Sequence, residues 1–423
     1  MSSLDRRRVA DFGAFVKAAG GLVVQPRMGF GSPERMRAGL AATKSADART
    51  VGTITLDSYT RVGDHEAVVD ALRQGVGLNG YPIVHYDRAV TERVLDGIGG
   101  PDFPVQVRHG SAQPRDIFAA LVASGMSATE GGPVSYCLPY GRTRLADSVA
   151  EWAACVESFA RLREVGVEPH LETFGGCMMG QLCPPSELVA ISVLEALFFH
   201  AHGVRSVSVS YAQQTNHDQD VEAVLALRRL CAELLPHPDW HVVVYAYMGL
   251  YPVTPEGAYR LLGKAAELAV ATGSERLIVK TVAESRRIPT VEENVSALEH
   301  AARVAERSRP LSGPADSATY QEARTLIEAV LNLHPDIGTA LRTAFARGYL
   351  DVPYCLHPDN AGRTRGYIDD RGWLRWADTG RLPLGRAVSS PRTVTAGGLL
   401  ADLSHVRRAY DAPHAQVEPV AGV

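Results

Sequence analysis

The stretch FPVQVRHGSAQPRDIFAALVASGMSATEGGPVSYCLPY, residues 103–140, decides the fold because it holds two short apolar runs joined by a helical segment. The first run leads into Arg108 and the second leads into Glu130. Between them, residues 115–123 carry apolar side chains at helical spacing. Strand, helix and strand in this order favour parallel pairing through a right-handed crossover. The stretch therefore predicts a cation and a carboxylate at the carboxyl ends of neighbouring strands.

The same alternation of apolar, β-branched runs with amphipathic segments continues along the chain. The candidate strands are residues 22–25, 52–56, 105–107, 127–129, 170–174, 206–210, 241–247 and 277–279. The candidate helices are residues 66–74, 115–123, 148–165, 186–202, 220–235, 256–271 and 292–306. About eight strand–helix units predict an α/β fold of the TIM (β/α)8 barrel type. A doubly wound sheet is the alternative, but Glu34 stands where the third glycine of a dinucleotide-binding G-x-G-x-x-G would follow Gly29 and Gly31.

The pattern changes after about residue 310. We expect a barrel domain at residues 1–311 and a C-terminal α+β extension at residues 312–423. Within the extension, residues 317–333 and 337–347 have helical patterns, and residues 367–376 are typical of a hairpin around a turn that contains Gly372. The last residues, 412–423, are expected to fray.

Composition excludes several classes of protein. The 423 residues are 46% hydrophobic and 21% charged, with a formal net charge of −4, so the chain lacks the basic footprint of a nucleic-acid-binding protein. The six cysteines form no C-x-x-C pair, which predicts reduced thiols. The most apolar helix candidate, residues 188–204, contains Glu195 and two histidines and is too polar to span a bilayer. These features predict a cytoplasmic protein without membrane or nucleic-acid partners. No metal site is expected, because the His200/His202 and His237/His241 pairs lack a third ligand.

Three arginines follow three successive predicted strands: Arg27, Arg61 and Arg108. Each could be a salt-bridged loop residue by itself. Together at one mouth, like charges would destabilise one another unless an anion neutralised them. Because arginine binds carboxylates in planar, bidentate fashion, the set predicts a small substrate with more than one carboxylate.

Other polar residues at strand ends have two interpretations each. Glu130 is either a structural partner of one of these arginines or a catalytic base. Tyr136 and Tyr140 are either core aromatics or phenols that face a substrate. Lys280 and Glu284 form either an exposed local ion pair or a site for a polyhydroxy group such as ribose.

A further set of motifs carries a family resemblance. The blocks QPR (25–27), DSYTR (57–61), RHG (108–110), EGGPVSYCLPY (130–140) and IVKTVAES (278–285) occur in this order. Together they resemble the large catalytic subunit of adenosylcobalamin-dependent glutamate mutase, also called methylaspartate mutase. The family is a TIM barrel, which agrees with the strand count.

The resemblance implies a role for each matched position. Arg27, Arg61 and Arg108 would grip both substrate carboxylates, with Glu130, Tyr136 and Tyr140 completing the substrate pocket; Glu130, Arg108 and Tyr140 would be catalytic. The cofactor-binding residues would be Glu172, Lys280, Glu284, Asn79, Pro139 and Phe174. Three stretches depart from the family. Residues 171–175 read Leu-Glu-Thr-Phe-Gly where the family has Arg-Glu-Pro-Phe-Gly, and residues 177–180 read Cys-Met-Met-Gly where it has Pro-Leu-Thr-Gly. Residues 245–248 read Tyr-Ala-Tyr-Met where the family has His-Gln-Trp-Met.

The resemblance also implies a cofactor and a partner. The expected reaction is the radical rearrangement of L-glutamate to (2S,3S)-3-methylaspartate with adenosylcobalamin. The cobalamin-binding signature D-x-H-x-x-G does not occur in this sequence, so a separate small subunit would carry it. We expect a homodimer of this chain within a heterotetramer. Two alternatives stay open: a barrel lyase that forms a Schiff base on Lys280, and a non-catalytic dicarboxylate-binding homologue.

Overall fold

The chain forms an eight-stranded parallel sheet with helices around it, in a computed structural model that describes residues 10–139, 141–177, 182–311, 316–385 and 392–412. The strands follow one another in chain order from β2 to β8, and β1 pairs with β8. Their bounds are β1 Val23–Gln25, β2 Gly52–Thr55, β3 Val105–Arg108, β4 Ala128–Gly131, β5 His170–Thr173, β6 Ser206–Ala212, β7 Trp240–Tyr245 and β8 Arg276–Ile278. All eight predicted strands are confirmed.

The sheet curls until its two edges meet. Val24 in β1 forms a parallel bridge with Thr50, just before β2, and the Val24 N–H donates to the Arg49 carbonyl at 2.8 Å. The predicted TIM-type barrel is therefore confirmed. Because all strands are parallel, their carboxyl ends lie at one mouth, where the loops that follow them can form a site.

Helices cover the outside of the barrel and continue beyond it. Their bounds are α1 Phe12–Ala18, α2 Pro33–Ser45, α3 Ser58–Val62, α4 His65–Gln74, α5 Arg88–Leu95, α6 Arg115–Ala123, α7 Leu145–Ala160, α8 Pro185–Ala201, α9 His217–Leu234, α10 Pro255–Ala271, α11 Val291–Arg307, α12 Ala318–Leu331, α13 Ile337–Arg347, α14 Ala396–Leu403 and α15 His405–Asp411. All seven predicted helices are present, and α6 has the predicted bounds. The pattern missed α2, because only Met36, Gly39, Leu40 and Thr43 of that helix are buried.

The residues after 316 pack against the barrel helices. Helix α8 is buried on almost every side, so it needs a cover that the barrel does not supply. The helices α12 and α13, both predicted, provide that cover. The predicted hairpin is present as β9 Arg365–Ile368 and β10 Leu374–Asp378, whereas α14 and α15 were not predicted. The predicted boundary falls between residue 311 and residues 312–315, which lie outside the described set, as does the predicted tail after residue 412.

Within the described ranges, no helix combines the length and the apolar content needed to cross a bilayer. All six cysteines are buried free thiols.

Candidate active site

The lower interior of the barrel is filled by a polar network. Arg276 donates to the carboxylate of Glu172 and, at 2.9 Å, to Ser208 Oγ. Gln106 Nε2 lies 3.2 Å from Glu172 Oε2, and Gln25 Nε2 lies 2.9 Å from Gln106 Oε1. All five side chains are fully buried. Buried charges are stable only when they are paired and hydrogen-bonded, and this network provides both.

Glu172 lies in this network, in the middle of β5. Besides Arg276 and Gln106, its carboxylate accepts from Ser208 Oγ at 3.2 Å and contacts Arg108 Nη1 at 3.5 Å. Burial opposes ionisation, but Arg276 and Arg108 outweigh it and lower the pKa of Glu172 to about 2. The Tyr245 hydroxyl also donates to it, so the carboxylate has five protein donors beneath the mouth.

Arg108 stands one level higher, at the end of β3. Its Nη2 lies 2.7 Å from Glu130 Oε2, and its Nη1 donates to Tyr245 Oη at 3.0 Å. The guanidinium carbon also lies 4.9 Å from the centre of the Tyr245 ring. Arg108 is buried, so these contacts are made out of reach of bulk water. The predicted meeting of a cation and a carboxylate at the ends of β3 and β4 is confirmed.

Glu130 is the carboxylate of that pair. Burial raises its pKa, although Arg108 opposes the rise. Its Oε1 accepts from the Tyr136 hydroxyl, and its Oε2 lies 2.9 Å from Tyr245 Oη. The Phe174 ring lies 4.9 Å from the ring of Tyr136, so two predicted site residues meet here. Tyr140 lies outside the described residues.

The loop after β4 is held by a carboxylate from α8, Glu195. It accepts from the backbone N–H groups of Val134 at 3.2 Å, Ser135 at 2.9 Å and Phe174 at 3.3 Å. A Cβ at Gly132 would lie 2.0 Å from Glu195 Oε1, so only glycine fits there. Burial raises the pKa of Glu195 to about 7. Sequence reasoning missed this residue, although an acidic side chain in an otherwise apolar helix was a signal.

Arg61 reaches the same site through a short capped helix. Asp57 caps α3 by accepting from the backbone N–H groups of Tyr59 and Thr60, at 3.0 and 2.9 Å. The Arg61 side chain lies against the loop after β3, since a Cβ at Gly110 would be 3.1 Å from its Cδ. The first residue of DSYTR, Asp57, therefore caps the helix that positions the last residue, Arg61.

His109, between Arg108 and Gly110, is a site neighbour that sequence analysis assigned no role. Burial, Arg61 and Arg108 together lower its pKa to about 3, so the imidazole is neutral. The ring stacks on Trp152 with 5.8 Å between ring centres. Because it is neutral, His109 adds no third positive charge near Arg61 and Arg108.

The rim of the mouth contains a second group of charges. Glu284 Oε1 lies 3.1 Å from Arg27 Nη1 and 3.0 Å from Lys280 Nζ. Burial lowers the pKa of Lys280 to about 8 even though Glu284 favours its charged form. The predicted local pair of Lys280 and Glu284 is present, but its expected exposure is wrong, because Lys280 is buried, and Arg27 joins the pair.

A cavity of about 360 Å³ opens beside this group, and its lining includes Arg27, Asn79 and Glu284. Asn79 Oδ1 accepts from the backbone N–H of Ser58 at 2.9 Å. The Thr55 hydroxyl, also in the lining, is buried without a hydrogen-bond partner among the described residues. A ligand with hydroxyl groups would supply the hydrogen-bond partner that the Thr55 hydroxyl lacks.

The remaining candidates are placed as follows. Pro139 is half-buried at the end of the described part of the β4 loop. No group of three or more His, Cys, Asp or Glu side chains in the described ranges is arranged to hold a metal ion.

The chain matches known proteins over most of its length. The model of a family described as methylaspartate mutase E chain matches residues 6–393. The glutamate mutase epsilon subunit of Yersinia enterocolitica is 29% identical over 383 residues, which cover 86% of this chain and 78% of that relative. The glutamate mutase epsilon subunit of Halobacterium salinarum is 31% identical over 391 residues, which cover 88% and 80%. Among solved structures, a truncated 3-deoxy-D-arabino-heptulosonate 7-phosphate synthase from Thermotoga maritima superposes with a TM-score of 0.38 at 11% identity, over 69% of this chain and 89% of that one.

Proposed function

Because the chain belongs to the methylaspartate mutase E chain family, we propose that it is the catalytic subunit of an adenosylcobalamin-dependent glutamate mutase. The proposed reaction is the rearrangement of L-glutamate to (2S,3S)-3-methylaspartate. The observation that carries the proposal is the group of Arg27, Arg61, Arg108 and Glu130, which lie in or just after the last residues of β1, β2, β3 and β4, Arg61 in helix α3.

The substrate half of the proposal concerns the three arginines. Arg108 and Arg27 are paired with Glu130 and Glu284, at 2.7 and 3.1 Å. A substrate with two carboxylates would exchange with these protein carboxylates or share the arginines with them. Glu130 would accept from the substrate ammonium, while Tyr136 and Tyr140 would close the pocket. In this proposal the protein binds and orients the substrate and excludes water from it.

The cofactor half concerns the rim cavity. When bound, adenosylcobalamin would supply the 5′-deoxyadenosyl radical that removes a hydrogen atom from the substrate. Asn79, Lys280 and Glu284 would hold the adenosyl end, because a carboxylate and an ammonium group suit the hydroxyls of a ribose. The cavity of about 360 Å³ and the unpartnered Thr55 hydroxyl fit that end of the cofactor. Pro139 and Phe174 would border it.

We assign Glu172 differently from the other proposed cofactor residues. Its carboxylate is fully buried and has five protein donors, including Arg108 and Tyr245, so these contacts favour holding Arg108 and Tyr245 in place over touching the cofactor.

The partner would be a small cobalamin-binding subunit with a D-x-H-x-x-G motif. Exposed apolar side chains lie on helix α3, which follows β2, and on the loops that follow β7 and β8, all on the side of the mouth. They are Tyr59, Val62, Leu250, Val253 and Ile288. Such a rim suits a protein that covers the mouth together with the cofactor. A homodimer of this chain within a heterotetramer, in the cytoplasm, is the proposed assembly.

Reconstitution tests the proposal directly. The chain, a small subunit from the same genome and adenosylcobalamin should convert glutamate to 3-methylaspartate, measured by proton NMR. Omitting the small subunit should abolish conversion. Cobalt(II) formed on glutamate addition, seen by electron paramagnetic resonance, would separate a mutase from a non-catalytic dicarboxylate-binding homologue. Binding of glutamate without cobalt(II) or product would overturn the mutase assignment.

One observation favours a second candidate, a lyase that forms a Schiff base on Lys280. Burial lowers the pKa of this amine to about 8, which favours a nucleophilic neutral form. Glu284, 3.0 Å away, opposes deprotonation. Borohydride trapping with a keto acid should label Lys280 only if the lyase assignment is correct, and the variant Lys280→Arg is the control.

A further inference from the structure

Tyr245, the last residue of β7, lies between the two buried carboxylates of the site. Its Oη lies 2.9 Å from Glu130 Oε2 and within hydrogen-bonding distance of Glu172 Oε1. Arg108 Nη1 donates to the same oxygen at 3.0 Å. The side chain is fully buried, so these three protein groups, and not bulk water, determine its hydrogen bonding.

Counting protons decides how these groups are connected. A phenol has one proton to donate and two positions at which to accept. Arg108 donates to one accepting position. If both carboxylates were ionised, Tyr245 could donate to only one of them. Its Oη and the oxygen of the other carboxylate would then lie next to each other with no proton between them. A proton on one carboxyl group removes this conflict, because that group then donates to the second accepting position of Tyr245.

The surroundings indicate which carboxyl group holds the proton. Glu172 accepts from donors on three other strands: Gln106 on β3, Ser208 on β6 and Arg276 on β8. All of these donors stabilise its ionised form, and its pKa is lowered accordingly. Glu130 has fewer: besides Tyr245, it has Arg108 and the Tyr136 hydroxyl. Burial raises its pKa.

The titratable and charged groups around Glu130 come from five strands and the loops after them. They are Arg108 and His109 from β3 and its loop, Tyr136 after β4, Glu172 and Cys177 from β5 and its loop, Tyr245 on β7 and Arg276 on β8. His109 is neutral, and burial raises the pKa of the Cys177 thiol well above its usual range, so neither adds a charge.

We propose that Tyr245 is a positioning residue that keeps Glu130 protonated in the ligand-free site. It accepts a hydrogen bond from the Glu130 carboxyl group and donates one to the Glu172 carboxylate. The hydrogen bonds then run in one direction, from Glu130 through Tyr245 to Glu172, whose charge Arg276 balances.

The consequence for the substrate rests on the proposed function. A neutral Glu130 binds Arg108 less strongly than an ionised one, so Arg108 stays available to a substrate carboxylate. A substrate ammonium group favours the ionised form of Glu130, and the proton therefore leaves to solvent when the substrate binds.

Infrared difference spectroscopy of the ligand-free chain tests the proton itself, without turnover or substrate. At neutral pH, the wild-type spectrum minus that of Glu130→Gln should contain the C=O band of one protonated carboxylic acid. The Tyr245→Phe spectrum minus that of Tyr245→Phe/Glu130→Gln should instead contain the bands of a carboxylate. Without Tyr245, the Glu130 proton has no acceptor and Glu130 ionises. A carboxylate in the wild type, or an acid band that persists or grows in Tyr245→Phe, would overturn the proposal. If Glu130→Gln does not fold, the acid band can be titrated in the wild type and in Tyr245→Phe alone, where one fewer acid group is expected.

The matched control is Tyr247→Phe, two residues along the chain. Its ring packs with Tyr251, Ala258 and Leu261, away from the carboxylate pair. This variant should keep the wild-type acid band. Loss of the band in both variants would show a general effect of removing a phenol and would contradict a specific role of Tyr245.

The reconstituted enzyme gives a second measurement. If kcat/KM rises with pH as Glu130 ionises, Tyr245→Phe should move that acid limb to lower pH by about one pH unit. An unmoved limb in an active variant would contradict the proposal. If the enzyme shows no mutase activity at all, the proposed function fails, whereas the infrared result still decides the role of Tyr245.

Discussion

Two arginine–glutamate pairs in this barrel differ mainly in their height above its floor. Arg276 and Glu172, in the lower interior, are 0% exposed and hydrogen-bond to other buried side chains. Arg27 and Glu284, at the rim, are 32% and 23% exposed and border a cavity of about 360 Å³. The first pair is sealed from solvent, and the second borders open space. The same two residue types therefore stabilise the fold at one level and are available for binding at another.

Arg108 stands between these levels and shares features of both. It contacts Glu172 below it and Glu130 beside it, at 3.5 and 2.7 Å. Its burial resembles that of the lower pair, whereas its place at the end of β3 belongs to the mouth. Substitutions at the three levels should therefore change stability most at the floor and ligand binding most at the mouth.

The largest effect is expected at the floor. Arg276→Met should lower the free energy of unfolding by about 3–5 kcal/mol, because it leaves Glu172 charged and buried without its main partner. Urea unfolding followed by circular dichroism measures this. The double variant Arg276→Met/Glu172→Leu should recover part of the loss, since it removes both charges. A free energy of unfolding for Arg276→Met within about 1 kcal/mol of the wild type would contradict the claim that the floor pair stabilises the fold more than the rim pair does.

Glu195→Gln tests the support of the site from outside the barrel. The folded pKa of Glu195 is about 7, above its usual 4.5, so the folded state binds a proton that the unfolded state releases between these values. Wild-type stability therefore loses on the order of 3 kcal/mol from this group as pH rises from 4.5 to 7. Glutamine does not titrate, so the variant should be more destabilised relative to the wild type at pH 5 than at pH 8. A pH-independent difference would show that Glu195 does not titrate in this range.

Arg108→Lys tests the level between floor and mouth. Lysine keeps the charge but loses the planar fork, at a cost on the order of 1.5–3 kcal/mol in kcat/KM for glutamate. Reconstituted turnover measures this, and thermal unfolding should show a smaller change than that of Arg276→Met. Arg115→Lys, in an exposed pair with Glu151, is the matched control and should keep wild-type kinetics. Normal kinetics in Arg108→Lys would remove this residue from substrate binding.

The smallest change in stability is expected at the rim. Arg27→Gln should change the free energy of unfolding by less than about 1 kcal/mol, because its partner Glu284 keeps Lys280 and both side chains are partly exposed. The KM for glutamate should nevertheless rise about tenfold, since a charge-assisted hydrogen bond is lost. Strong destabilisation with an unchanged KM would assign this pair to the fold, as at the floor.

The sequence by itself determined the order of strands and helices, and with it which end of the barrel holds the site. Parallel strand–helix units place every strand end at the same mouth, so Arg108 and Glu130 could be predicted as neighbours from their places after two successive strands. Local patterns also predicted α12, α13 and the hairpin, because each has its own periodicity or turn signal. They missed α2 and several short helices of five to eight residues: α1, α3, α5, α14 and α15. A helix of that length has too few turns to show a periodic pattern, and only four residues of α2 are buried.

Only the tertiary structure decided which charges far apart in the sequence pair. Arg276 and Glu172 are 104 residues apart, and Arg27 and Glu284 are 257 apart. Tyr245 entered the site from β7, and Glu195 reached the β4 loop from α8. Such contacts depend on how far the barrel closes and on which side chains of each strand point inward. Neither property can be read from a short stretch of sequence. The sequence could show that polar side chains gather at the strand ends, but their heights in the closed barrel determine which of them are sealed and which remain open to a ligand.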